Sequence, residues 1–439
     1  MDRPRRRFLR ACGATVLGLA GCMGGPNGPG TETPDGQDTT TVGSPTDTLS
    51  GTPPGSREPS PAEPPDDDGT PRGPGRTRWQ VPTDATPQRP LVVDGTCYLG
   101  TGDVQEAGRA ELLAVEADGT VRWRREVGQA AAEVIAVADG TVYAITGDST
   151  DDMLHGEDFQ VRAHDAASGE RRWRWAPEKH YKFFEPVGVR DGTVFVGTHD
   201  DALGGSGEEV LAVADGSARW ARETGDVMGG AVVGDTVVAD ATAGIAAFAA
   251  ADGTRRWTHE AADPGSLNPE GFGDLVLAGD GAVTAFDAAD GSEVWSVTDW
   301  TVTTWHVDGE RAYLGGQRVA AVDRTGTARW TYDAGGRPSA VGTDRWLVGA
   351  ARGELFVLER ATGDERWRTA VDTEFPSPGG IADGRLAYGT RERGIVVVTA
   401  DTGEEVWSWS TAGGLAAPVA AGDAFVVGRE GGGLWALRP

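Results

Sequence analysis

Six histidines, His155, His164, His180, His199, His259 and His306, are the first candidates for metal or proton-transfer chemistry. A zinc site needs ligands at short, paired spacings, and these six are scattered, so each reads as a surface or hydrogen-bonded loop residue. The chain has no Gly-x-Ser-x-Gly elbow, no phosphate loop and no paired Cys/His signature. Of three cysteines, Cys97 lies in the apolar run CYLG and reads as a small buried hydrophobe. What stands out is recognition chemistry. The segment APEKHYKFFEP brings Lys179, His180, Tyr181, Lys182, Phe183 and Phe184 together and holds both lysines of the chain. Aromatics there would give contact area and the lysines would attract an acidic partner; the alternative is a loop that folds its aromatics over one end of the fold. A second candidate is DWTVTTWH, with Trp300, Trp305 and His306.

These clusters sit in a strongly acidic chain of 439 residues, with 67 Asp and Glu against 40 Lys and Arg and a net charge of −27. Such a surface repels a nucleic-acid backbone, so nucleic acid is not an expected partner. An acidic surplus with almost no lysine resembles proteins of extreme halophiles, whose carboxylates hold hydration at high salt. A GC-rich genome that writes Arg and Asp would produce a similar bias.

The N-terminus reads as an address, not as fold. MDRPRRRFLR is followed by a weakly apolar run and then Cys22. Arg5-Arg6 with Arg7, Phe8 and Leu9 resembles the twin-arginine export motif, and Leu19-Ala20-Gly21-Cys22 resembles a lipobox. About eleven apolar residues are too few to cross a bilayer core that needs roughly 20. Residues 1–21 are therefore expected to be a signal peptide, with lipid on Cys22 anchoring the protein to the outer face of the cytoplasmic membrane. Cys12 would leave with the signal, so Cys97 would have no intramolecular disulfide partner. Residues 22–75, rich in Thr, Pro, Gly and Asp, lack the apolar side chains to offset ordering and are expected to form a disordered tether.

From residue 76 to 439 the chain repeats itself. A Trp follows a Gly turn in ADGTVRW to Trp123, ASGERRW to Trp173, ADGSARW to Trp220, ADGTRRW to Trp257 and ADGSEVW to Trp295. The pattern continues in RTGTARW to Trp330, ATGDERW to Trp367 and DTGEEVW to Trp407, and TRWQVP adds Trp79. The mean period is 41 residues, the range of a four-stranded propeller blade. Runs such as GTVYAIT and AVTAFDA alternate apolar and small residues, and the Asp-Gly or Ser-Gly between runs supplies the positive φ of hairpin turns. The less regular stretch after each Trp, such as PVGV, would be the strand next to the axis. The expected fold is thus an all-β propeller of four-stranded blades, eight or nine in number with the count giving nine. Because the last unit stops before a docking Trp, the segment around Trp79 is expected to supply its outer strand and close the ring.

Ala163-x-Asp165-x-x-Ser168-Gly169-x-x-x-Trp173 and Ala285-x-Asp287-x-x-Asp290-Gly291-x-x-x-Trp295 resemble the pyrroloquinoline-quinone (PQQ) type tryptophan-docking repeat. The resemblance covers the chain from Trp79 onward and implies that each repeat Trp docks between neighbouring blades. Quinoprotein dehydrogenases of that type hold PQQ over a Trp, coordinate calcium through Glu, Asn and Asp, and often cap the quinone with adjacent cysteines. Here the folded part has one Asn, Asn268, and no Cys-Cys pair. A PQQ- and calcium-dependent oxidoreductase is therefore the alternative. The main expectation is a monomeric, non-catalytic scaffold without cofactor or metal that binds a protein or peptide at the cell surface, since the family includes a lipoprotein that scaffolds outer-membrane protein assembly.

Overall fold

The computed structural model describes residues 76–102, 109–128, 131–147, 159–178, 183–199, 207–260, 267–279, 281–333, 336–339, 345–372, 376–390, 393–409 and 415–439. The export signal at Arg5 and Arg6, the lipidation residue Cys22 and the tether 22–75 lie outside them.

Every regular element among the described residues is a β-strand. The first sheet shows how a repeat folds: Leu91–Val93, Thr96–Gly100, Ala110–Val115 and Val121–Gly128 pair antiparallel in chain order. Asp94 and Gly95 join the first two strands with φ of 50° and 77°, the left-handed pair that a two-residue hairpin demands. Asp139-Gly140, Asp191-Gly192 and Asp383-Gly384 repeat that geometry. The described residues form seven four-stranded sheets and one of seven strands.

Apolar clusters join each sheet to the next. Tyr98, Leu112 and Ala114 of the first sheet pack with Val142 and Ala144 of the second; Ile145 and Val161 of the second pack with Val196 and Leu211 of the third. The first strands of the early sheets, Leu91–Val93, Ala131–Ala138, Phe183–Arg190 and Val227–Val233, pack in succession and line the inside. Sheets arranged radially in this way make a β-propeller.

The repeat tryptophans stand at these junctions. Trp123 Nε1 donates to Ala166 O at 2.9 Å, in the turn of the next sheet, and Trp79 does the same to Ala117 O. Trp220, Trp257, Trp295, Trp330 and Trp367 reach Ala250, Ala288, Arg324, Arg360 and Ala400 alike. Trp173 lies against the turn at Gly216 and packs on Tyr143. Gly169 shows why the turn is glycine: its φ is +69°, and a Cβ there would fall 2.5 Å from the Trp123 ring. A second clamp accompanies some of the tryptophans. Arg125 donates to Gly169 O and Ser168 O, and Arg222 donates to Gly253 O and Asp252 O.

Two junctions differ from the rest. The strand Glu293–Val307 pairs with Gly281–Asp287 over its first half and with Ala312–Gly316 over its second, so it belongs to two repeats. No Gly or Pro interrupts it, and Val, Thr and Trp favour extended backbone throughout, so the irregular stretch expected after Trp295 is absent. At the other junction, Thr77–Val81 pairs antiparallel with Leu434–Leu437, in one sheet with Val419–Ala421 and Ala424–Gly428.

Candidate functional site

Because the strands of each sheet run antiparallel in order, the turns from first to second strand and from third to fourth lie at one end of the sheets. The connections from second to third strand, and from each sheet to the next, lie at the opposite end. The turn end is nearly uniform. It carries two-residue turns such as Asp139-Gly140 and Asp191-Gly192 and the Trp-docking turns around Gly119, Gly169, Gly253 and Gly403. The loop end is irregular. It carries segments as short as 242–243 and as long as 148–159, together with 101–109, 176–182, 200–208 and 261–269.

The sequence candidates distribute accordingly. The acidic run GDSTDDMLHGED and the basic aromatic segment both fall, in the sequence, between strands whose described ends lie at the loop end, one within and one following the sheet that begins at Ala131. Residues 148–158 and Lys179, His180, Tyr181 and Lys182 lie outside the described residues. Phe183 opens the strand Phe183–Arg190. Phe184 is not part of an exposed patch: it is 6% exposed, stacks on Trp175 at 6.0 Å and meets Phe159 at 5.8 Å. Alternation along the strand turns it into the core and turns Glu185 the other way.

Glu185 and Glu133 are each the third residue of neighbouring first strands, near the loop end. Burial, and then the like charge of Glu133, push the Glu185 carboxyl up to about 7. Glu133 is open to solvent on one side, but the protein around its other sides raises its carboxyl as well. Met228, on the next first strand, is 55% exposed, a large apolar side chain left in water at the same end. Sequence reasoning missed this trio, because its members come from three different repeats. Only the alignment of first strands could have found them.

Trp300, Trp305 and His306 are held in the continuous strand Glu293–Val307 and are half-buried. The Arg318 guanidinium lies 4.9 Å from the Trp300 ring and pairs with Asp299 at 2.7 Å. Trp305 packs against the apolar cluster containing Leu277 and Leu314, and burial lowers the His306 pKa.

A cavity of about 340 Å³ opens between the first two sheets at the turn end, lined by Val93, Tyr98, Arg122, Val137, Asp139 and Ala166 among others. Arg122 is tied there to Glu116, Tyr98 and Thr96. Three junctions on, Arg256 makes the corresponding bond to Thr236 and pairs with Asp235, so the arrangement belongs to the repeat and not to one ligand. Among the described residues no three His, Cys, Asp or Glu side chains are set to hold a metal ion. Asn268 uses its backbone N–H on Asp240 at 3.2 Å. Among the described residues these side chains do not assemble the oxygen cage that calcium requires.

The family described as outer membrane protein assembly factor BamB matches residues 71–155, 157–298 and 315–439. The protein of that name from Burkholderia pseudomallei (strain K96243) is 34% identical over 143 residues, covering 30% of this chain and 37% of that protein. The match thus spans little more than a third of the curated relative. The crystal structure of BamB from Moraxella catarrhalis superposes with a TM-score of 0.50 at 17% identity, covering 70% of this chain and 94% of that one. The computationally designed Ika8 protein superposes with a TM-score of 0.53 at 13% identity, covering 83% of this chain and all of that one. At such identities the two structures speak for the fold alone.

Proposed function

Because the chain belongs to the repeat family described as outer membrane protein assembly factor BamB, we propose that it is a non-catalytic scaffold that captures proteins or peptides at the cell surface. The observation that carries this reading is the contrast between the two ends of the sheets. Binding residues concentrate on connections that a rigid scaffold positions and that depart from its regularity, and here all the long connections but one share an end. The acidic pair Glu133 and Glu185 and the exposed Met228 belong to that end, and the Lys179–Phe183 segment joins two strands whose described ends lie there.

In this reading Arg5 and Arg6 direct export, lipid on Cys22 holds the protein at the outer face of the cytoplasmic membrane, and residues 22–75 space the ring from the lipid. The ring is monomeric and has nine four-stranded blades, two of which share Glu293–Val307, and Thr77–Val81 closes it. The acidic surface suits a cell interior and exterior of high salt. Assembly at an outer membrane is what the relatives' name states; for this chain the proposal is the class, a protein-capturing scaffold.

The test is crosslinking in intact cells, comparing the wild-type protein with one in which Lys179, Tyr181, Lys182 and Phe183 are all changed to Ala. Adducts that vanish in the variant while its melting curve is unchanged support the reading; unchanged adducts remove the segment from it. Dye reduction after loading with calcium and pyrroloquinoline quinone would overturn the non-catalytic part. Replacing Cys22 with Ala should release the protein into the medium, and retention at the membrane would refute the anchor.

A further inference from the structure

Four successive second strands begin with Thr, at Thr96, Thr141, Thr193 and Thr236, and their fifth residues are Gly100, Ile145, Gly197 and Asp240. Two of the four are glycine because the first strand of the next sheet approaches there. A Cβ on Gly100 would fall 1.8 Å from Ala132 O, and one on Gly197 would fall 2.3 Å from Val227. Asp240 places a carboxylate at this position. The first strand of the next sheet is Glu270–Phe272.

The carboxylate fills the junction. It is 1% exposed, and its Oδ2 accepts N–H bonds from Leu267 at 2.6 Å and Asn268 at 3.2 Å, the residues that lead into Glu270–Phe272. Its Oδ1 is buried without a hydrogen-bond partner. Gly229 faces Asp240 across the first strand and Ile245 across the third, and no charged side chain contributes to its ionisation.

We propose that Asp240 is a proton-controlled tether between two sheets of the ring, holding the segment from Leu267 to Phe272 tightly when Oδ1 carries a proton and more loosely when the carboxylate is ionised. The chemistry follows from the two oxygens. Oδ2 keeps its two backbone donors in either state, whereas Oδ1 in the ionised state is a dry negative charge with nothing to share it. Burial pushes the Asp240 carboxyl up to about 6, against the pull of the two N–H bonds. The folded pKa lies above the unfolded one, so the junction is most stable below the ordinary aspartate range and loses stability as pH rises toward 6. Above that value the loss is complete.

Hydrogen exchange of the full-length protein at a series of pH values tests this, reading the peptide 267–272 with rates corrected for intrinsic exchange and 131–138 as reference. Protection of 267–272 should fall about tenfold between pH 5 and pH 8 while 131–138 stays level. Asp240→Asn, which keeps an oxygen for the two N–H donors, should hold the protection level across that range, and Asp240→Gly should also abolish its pH dependence. A wild-type profile without the fall, the same fall in Asp240→Asn, or an equal fall in 131–138 would overturn the proposal.

Discussion

The guanidinium of Arg76 lies 5.2 Å from the centre of the Trp407 ring. At seven other junctions that place is taken by a Gly turn, and the indole N–H finds a carbonyl in it. At the junction after Trp407 the neighbouring strands Leu434–Leu437 and Thr77–Val81 are paired but not joined by a turn. Arg76 Nη1 donates to Pro439 O at 3.3 Å, Arg438 N donates to Arg76 O at 2.7 Å, and Trp407 Nε1 is buried without a partner. A cation over an aromatic face thus stands in for the docking turn.

Arg76→Ala is accordingly expected to lower stability by roughly 1 kcal/mol, the range of a partly exposed cation–π contact. Deleting residues 76–83, which removes the strand itself, should lower the midpoint of the whole denaturation curve. A curve unchanged by the deletion would contradict closure through this strand.

Trp123 is 5% exposed and packs on Tyr98 at 6.2 Å. Trp123→Ala should cost about 3–5 kcal/mol in denaturant unfolding. Trp123→Phe retains much of the packing but leaves Ala166 O with only the longer bond from Tyr98 Oη at 3.4 Å, and should cost about 1 kcal/mol. No loss in Trp123→Phe would mean that the N–H bond is irrelevant.

His164 holds a core position filled by Val115 and Val213 in neighbouring sheets and is 3% exposed. Its Nδ1–H donates to Gly169 O at 3.0 Å, and Nε2 is buried without a partner. Burial, and to a lesser extent Arg162, Arg171 and Arg125, lower its pKa. The group therefore contributes stability that is full above its unfolded value near 6.5 and lost as pH falls below it. Acid unfolding should begin at lower pH in His164→Val than in wild type. Coincident acid curves would show that the residue titrates freely.

A net charge of −27 destabilises the ring by self-repulsion at low ionic strength. At 1 M salt the Debye length falls to about 3 Å, so the melting temperature should rise markedly from low to multimolar KCl. A flat profile would remove the halophilic reading.

The repeat was legible because the docking Trp, its Gly turn and the Asp-Gly hairpins are local patterns repeated at one period. What could not be read were the exceptions to the repeat. Phe184 fits either a recognition patch or aromatics folded over one end of the fold, and only the structure shows it buried beside Trp175. An irregular stretch is expected after Trp295, yet no residue there ends extended backbone. Asp240 and His164 become conspicuous only beside Gly197 and Val213, and that comparison needs the strand register. Glu133, Glu185 and Met228 come from three different repeats, on first strands that pack in succession.

The proposed scaffold would hold partners at the loop end and not at the turn end. A photo-crosslinking amino acid placed at Met228 tests it against one placed at Asp252, an exposed residue of a docking turn, both in the full-length protein in intact cells. Protein adducts should form from position 228 and not from position 252; adducts from position 252 alone, or equally from both, would contradict the account.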